Sequence, residues 1–125
     1  MNKKILIFHG SDELNQKLKA ISCSVGAELI AVPLCMYNHT ASELTGIKDM
    51  NHSVAEYNEK ELSMEMVLFA GLTDKDLDVF LDSCKKENVQ IRLKAVLTDT
   101  NGNWKIIDLY KELMKEYLFY KMRGK

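Results

Sequence analysis

Met66-Val67-Leu68-Phe69-Ala70 is an apolar run with no polar interruption, followed by Gly71 and then by Thr73 with Asp74 and Asp76. A short run without alternation fits a strand covered on both faces. The glycine breaks it. A hydroxyl followed by carboxylates then supplies an N-cap and negative charge at the positive end of a helix. Leu77, Phe80, Leu81 and Cys84 fall on one helical face, and Lys85 and Lys86 fall in the last turn, where the dipole favours cations. The stretch therefore predicts a central strand handing over to a helix.

The same junction stands near the start of the chain. Ile5-Leu6-Ile7-Phe8 is a second unbroken apolar run, His9-Gly10 ends it, and Ser11 with Asp12 and Glu13 opens a helix. Leu14, Leu18, Ile21 and Val25 recur at helical spacing, with Gly26 placed to stop the run. Glu28 to Val32 reads as an edge strand, because Pro33 cannot donate to a ladder. Residues 91–97 alternate in part, Arg92 and Lys94 facing away from Ile91, Leu93 and Ala95, which predicts a strand with one wet side or at an edge. The last helix is expected from near Trp104 to about Met122, with Ile106, Tyr110, Leu113 and Tyr117 as its core stripe, flanked by Ile107 and Met114.

Between these elements lies a polar stretch, 34–63, without sustained periodicity. Thr40-Ala41-Ser42-Glu43 fits a capping box opening a short helix that Gly46 stops. The remainder reads as a long, mobile connector.

The chain has 125 residues and is 46% apolar, which suits one domain with a real core. With 17 basic and 18 acidic residues there is no global field to draw a nucleic acid or an anionic membrane. Three cysteines at wide spacing, Cys23, Cys35 and Cys84, make a poor disulfide framework and suit a reducing, cytoplasmic compartment. No run approaches the length of a secretory core or a membrane span.

Met66 to Leu72, Leu77, Leu81, Leu93-Lys94-Ala95-Val96-Leu97-Thr98, Thr100-Asn101 and Trp104 together resemble a small bacterial family, number 3783 of the domains of unknown function. The resemblance covers most of the chain and is strongest over 66–116. Family members often carry proline where Asp99 stands here. The resemblance implies an α/β fold and a bacterial origin, and it transfers no catalytic residue.

The elements predict a single α/β domain with a four-stranded, mainly parallel sheet in the order 2-1-3-4 and helices on both faces. Both central runs lack alternation and the connector is long enough for a crossover, which favours parallel central strands. The competitor is a ferredoxin-like α+β sheet with antiparallel neighbours. In the parallel arrangement, ligands bind at the topological switch between the first and third strands. The loops there would bring together His9, Gly10, Ser11, Gly71 and Thr73, with Thr98, Thr100 and Asn101 at the same edge. A glycine and a hydroxyl at a helix N-terminus suit a small anion or phosphate ligand, yet they are also what ordinary capping needs. Asn101 or Asn103 can likewise cap the last helix.

No Walker lysine or dinucleotide fingerprint is present. Cys35, His39 and His52 lack the tight ligand pair of a metal site, so no metal or other cofactor is expected. No acid, base and nucleophile set is readable, and His9 is the histidine best placed for chemistry. Leu118, Phe119 and Met122 lie outside the core stripe of the last helix, beside Lys121, Arg123 and Lys125. Such an end wants a second surface: the connector folding back, a second copy in a homodimer, or a partner protein. The sequence thus favours a noncatalytic module acting through protein contacts, with a small-anion-binding protein or enzyme as the alternative.

Overall fold

The apolar runs become the middle of a sheet because their residues have nowhere wet to point. In the computed structural model, which describes residues 2–123, the strands β1 (Lys4–Phe8) and β3 (Met66–Ala70) are central. They are flanked by β2 (Glu28–Val32) and β4 (Leu93–Val96) in the order β2-β1-β3-β4. Every residue of β3 is buried, as are Ile5 to Phe8 of β1.

Successive side chains serve opposite layers. Ile5, Ile7, Val67 and Phe69 pack with Leu18, Ile21, Phe80 and Cys84, contributed by α1 (Asp12–Ser24) and α3 (Asp74–Lys86). On the other face, Leu6, Phe8, Met66 and Leu68 meet Ile106, Leu109 and Tyr110 of α4 (Ile106–Arg123), together with Tyr37, Ala41, Tyr57 and Leu62 of the connector. Edge-on ring contacts anchor both layers, Phe69 to Phe80 at 5.2 Å and Phe8 to Tyr37 at 5.9 Å. Leu81, expected on the core face of its helix, is instead 40% exposed.

The strand order and the two-faced covering are as the sequence predicts, and the two outer pairs are parallel. The central pair departs from expectation: β1 and β3 run antiparallel, with Lys4 opposite Ala70 and Phe8 opposite Met66. The physical reason is the path of the connector, which does not cross the sheet once but travels its length and returns. Ser42 and Lys48 lie with Gly71 and Leu97 at one end, while Ser63 to Glu65 lie with His9 and Gly10 at the other. The chain leaves β2 and enters β3 at the same end of the sheet.

Antiparallel central strands make the domain two βαβ units related by an approximate two-fold axis beside the Leu6 to Leu68 pair. The units repeat at an offset of 62 residues, taking Phe8 to Ala70, Ser11 to Thr73, and Ser24 to Lys86. Backbone detail follows. His9 (φ 61°) corresponds to Gly71 (φ 79°), and Gly26 (φ 71°) to Asn88 (φ 56°). Both helices close alike, Ala27 N–H donating to Ser22 O and Val89 N–H to Cys84 O. The correspondence then slips: Lys4 pairs with Glu28, whereas Met66 pairs with Leu93, so 90–92 are extra in the second unit.

The polar connector sends apolar residues into the core. Tyr37 is 1% exposed, and Ala41, Tyr57 and Leu62 are buried. The capping box forms as expected and starts α2 (Ala41–Leu44). The connector also caps α4, because the Ile106 and Ile107 N–H groups donate to His39 O and Tyr37 O. Main-chain carbonyls therefore do what Asn101 and Asn103 were expected to do. The helix begins two residues after Trp104, which sits in extended backbone and is 38% exposed.

Candidate functional site

Because β1 and β3 are antiparallel, the two glycine loops emerge at opposite ends of the sheet. The antiparallel register places His9 and Gly71 six residue steps apart along the strands, about 20 Å. The single crevice expected between them is not formed, and the predicted residues divide into two groups.

At the first end stand His9, Gly10 and Ser11, beside a shallow cavity of about 280 Å³ that Glu65 and Arg92 also line. His9 occupies the left-handed region, where a non-glycine residue is uncommon. Its Nδ1 lies 3.5 Å from Glu61 Oε1, and the same oxygen accepts from Tyr37 OH at 3.1 Å and from Leu62 N–H at 3.0 Å. Burial, and then the neighbouring Glu61 carboxylate, push the Tyr37 hydroxyl well above its ordinary range. Arg92 is held by Glu65 through its guanidinium and its main-chain N–H, at 2.8 to 3.3 Å. Although burial opposes it, the Arg92 donors keep the Glu65 carboxyl below the usual carboxylate range. Ser11 Oγ accepts from Leu14 N–H. Arg92 in this lining is already paired with Glu65, which leaves it poorly disposed toward an anion.

At the other end stand Gly71, Thr73, Thr98, Thr100 and Asn101. Thr73 and Asp76 form a reciprocal capping box, and Asp76 also pairs with Lys3 at 3.0 Å. The Thr73 main-chain N–H, then Lys3, hold the Asp76 carboxyl below its ordinary range. Thr98 and Asn101 exchange main-chain and side-chain bonds, and Asn101 Nδ2 donates to Val96 O at 3.0 Å. Thr100 precedes a single helical turn and makes no side-chain cap bond. A cavity of about 370 Å³ lies here between Gly71, Thr98 and Lys48, whose Nζ donates to Asn103 Oδ1 at 2.7 Å. Three of the four predicted hydroxyls are thus engaged in closing turns and helices.

Sequence reasoning missed Tyr37, Glu61, Glu65 and Lys48, all placed by the connector or its flanks, where no periodicity marks a position. It also missed the tight set around Glu43. This carboxylate accepts from Thr40 N–H, Thr40 Oγ1–H, Asn51 N–H and His39 Nδ1 at 2.7 to 3.1 Å. Burial works against the charge, but the main-chain donors of Thr40 and Asn51, with His39, hold the Glu43 pKa down to about 2. His39 is thereby committed to α2. Among the described residues, no group of three or more His, Cys, Asp or Glu side chains is arranged to hold a metal ion. The cysteines are free thiols: Cys23 is exposed, Cys35 half-buried and Cys84 buried, its pKa raised by that burial.

The third candidate surface is the end of α4. The first turns of this helix are buried, whereas Leu118, Phe119, Tyr120 and Met122 are 45%, 53%, 72% and 79% exposed. Phe119 and Tyr120 meet edge-on at 5.8 Å, and Lys121 lies over the Tyr117 ring. Lys125, read as part of the basic cluster here, lies outside the described residues. The connector covers the first half of α4, where Ser63 N–H donates to the Tyr110 hydroxyl, and leaves these residues exposed. Tyr117 also lines a groove of about 930 Å³ with Leu81, Cys84 and Lys94. No helix among the described residues is long and apolar enough to cross a membrane.

Fold and surfaces together define a small α/β domain built from paired βαβ units, with no converging catalytic set among its described residues. Residues 65–120 match the model of the family described as Domain of unknown function (DUF3783), the family that the run from Met66 onward resembles. The matched segment comprises the second unit and most of α4. No curated protein and no solved structure matches the chain.

Proposed function

We propose that this chain is a noncatalytic α/β module of the bacterial cytoplasm that works through protein contacts. The surface is the end of α4, and its partner is a second copy of the chain. The observation that carries this reading is the exposure of Leu118, Tyr120 and Met122 on a helix whose first half is core. Phe119 and Tyr120, in edge-on contact with each other, are both more than half exposed, and large aromatic side chains left in water favour a covering surface. Exposed residues pointing in several directions are covered economically by a two-fold contact, in which each helix end packs on the other and beside the other's Tyr117 groove. The engaged hydroxyls and ion pairs at both ends of the sheet support a noncatalytic role. The free thiols suit a reducing compartment.

Light scattering across a concentration series tests this. The native chain is expected to exceed monomer mass, and Tyr120→Glu with Met122→Glu is expected to return it to monomer without lowering the melting temperature. A native chain that stays monomeric at the highest soluble concentration overturns the reading.

A further inference from the structure

The sheet has two edges, and they are protected unequally. In β4 the Leu97 N–H donates inward to Phe69 O, so alternation turns the main-chain groups of Lys94 and Val96 outward. Asn101 Nδ2 already occupies the outward Val96 carbonyl, and the Lys94 ammonium folds back to Ile91 O at 2.7 Å. A lysine and a capped carbonyl are devices that protect an edge from pairing.

In β2 the Glu28 N–H donates inward to Lys3 O, so Leu29 and Ala31 turn their N–H and C=O groups outward. Among the described residues, no side chain or loop bonds these four groups. Ala31 is exposed, Leu29 and Ile30 are half-buried, and the strand Glu-Leu-Ile-Ala-Val carries neither a lysine nor a bulge.

From this contrast we infer that the open edge of β2 is a strand-addition surface for a second copy of this chain, paired antiparallel about Ile30. The register selects the occupant. Setting Leu29 opposite Ala31 of the other copy satisfies all the outward groups through four main-chain bonds. It places Ile30 against Ile30 and Glu28 against Val32, with no like charges opposed. A shift toward the C-terminus brings in Pro33, which has no N–H to give. The strand is thus complementary to itself in one register, and the product is a continuous eight-stranded sheet with the protected β4 edges outermost. This goes beyond the α4 contact, since α4 packs beside β4, at the far side of the sheet from β2.

Disulfide trapping of the full chain in a Cys23→Ser, Cys35→Ser background tests it. At a two-fold non-hydrogen-bonded pair, Ile30→Cys places its Cα about 4.5 Å from its mate, inside disulfide range. Ala31→Cys sits diagonally from its mate at about 8 Å, outside that range. Mild oxidation is expected to link Ile30→Cys into a covalent dimer at least tenfold faster than Ala31→Cys. Adding Ala31→Pro, which removes an outward donor and no ladder bond, should abolish the link, and Ala31→Lys serves if the proline variant does not fold. Equal rates at the two positions, or trapping that survives both edge-blocking changes, overturns the inference. The α4 reading is judged separately, because Tyr120→Glu with Met122→Glu should leave trapping at Ile30→Cys intact.

Discussion

The two βαβ units share one backbone plan and fill it with different residues. At the turn after the central strand, the first unit holds His9 in a left-handed conformation where the second has Gly71. At the end of the helix the roles reverse, with Gly26 in the first unit and Asn88 in the second. The helix caps differ too: Ser11 makes one bond to Leu14 N–H, while Thr73 and Asp76 bond each other both ways. Positive φ is a demand of the turn, so it persists when the residue changes. Glycine meets that demand without strain, whereas His9 is held there with its ring against Glu61. The difference shows which features belong to the plan and which to the particular site.

The largest expected effect comes from loading the same strain onto the second unit. Gly71→Val forces a β-branched residue into positive φ and should cost about 2–3 kcal/mol in chemical denaturation. His9→Gly removes strain from the folded chain but loosens the unfolded one, so it should change stability by less than about 1 kcal/mol. If the two substitutions cost the same, the equivalence of the turns is wrong.

The connector has no counterpart in either repeat, and Glu43 is its electrostatic anchor. Glu43→Gln should cost about 2 kcal/mol at neutral pH, because several donors lose a charged acceptor. The folded pKa of about 2 lies below the ordinary value of 4.5. The stability this carboxylate adds is therefore fully present above 4.5 and is lost as pH falls from there toward 2. Acid titration of melting temperature should show a steeper decline in the native chain than in Glu43→Gln across that window. Parallel curves would remove Glu43 from its role.

The smallest effect separates the caps. Thr73→Ala should cost about 1 kcal/mol, and Ser11→Ala a few tenths less, since only the former dismantles a reciprocal box. Melting temperatures of the two variants measure the gap, and a larger loss at Ser11 would reverse the ranking of the units.

Much of this was legible in the residues. The strand order, both junctions, the Thr40 capping box and the exposed end of α4 follow from apolar runs, hydroxyl and carboxylate spacing, and helical periodicity. The candidate site was less legible. His9, Ser11, Thr73 and Asn101 were visible as turn residues, but their partners Glu61, Glu65 and Lys48 come from the connector, whose buried Tyr37 and Tyr57 sit among polar neighbours without a period. Trp104 fell outside its helix because carbonyls of that connector, not a local side chain, start α4.

The sequence by itself determined which segments are buried on both faces, where they break and what caps the first three helices, because these depend on side chains within a turn or two of one another. Only the tertiary structure decided the direction of β3 against β1, and with it the separation of the two glycine loops. A strand shielded on both sides presents the same apolar residues whichever way it runs. Its direction is set by where the intervening chain finds a surface to cover, and that surface exists only once the sheet and α4 have come together.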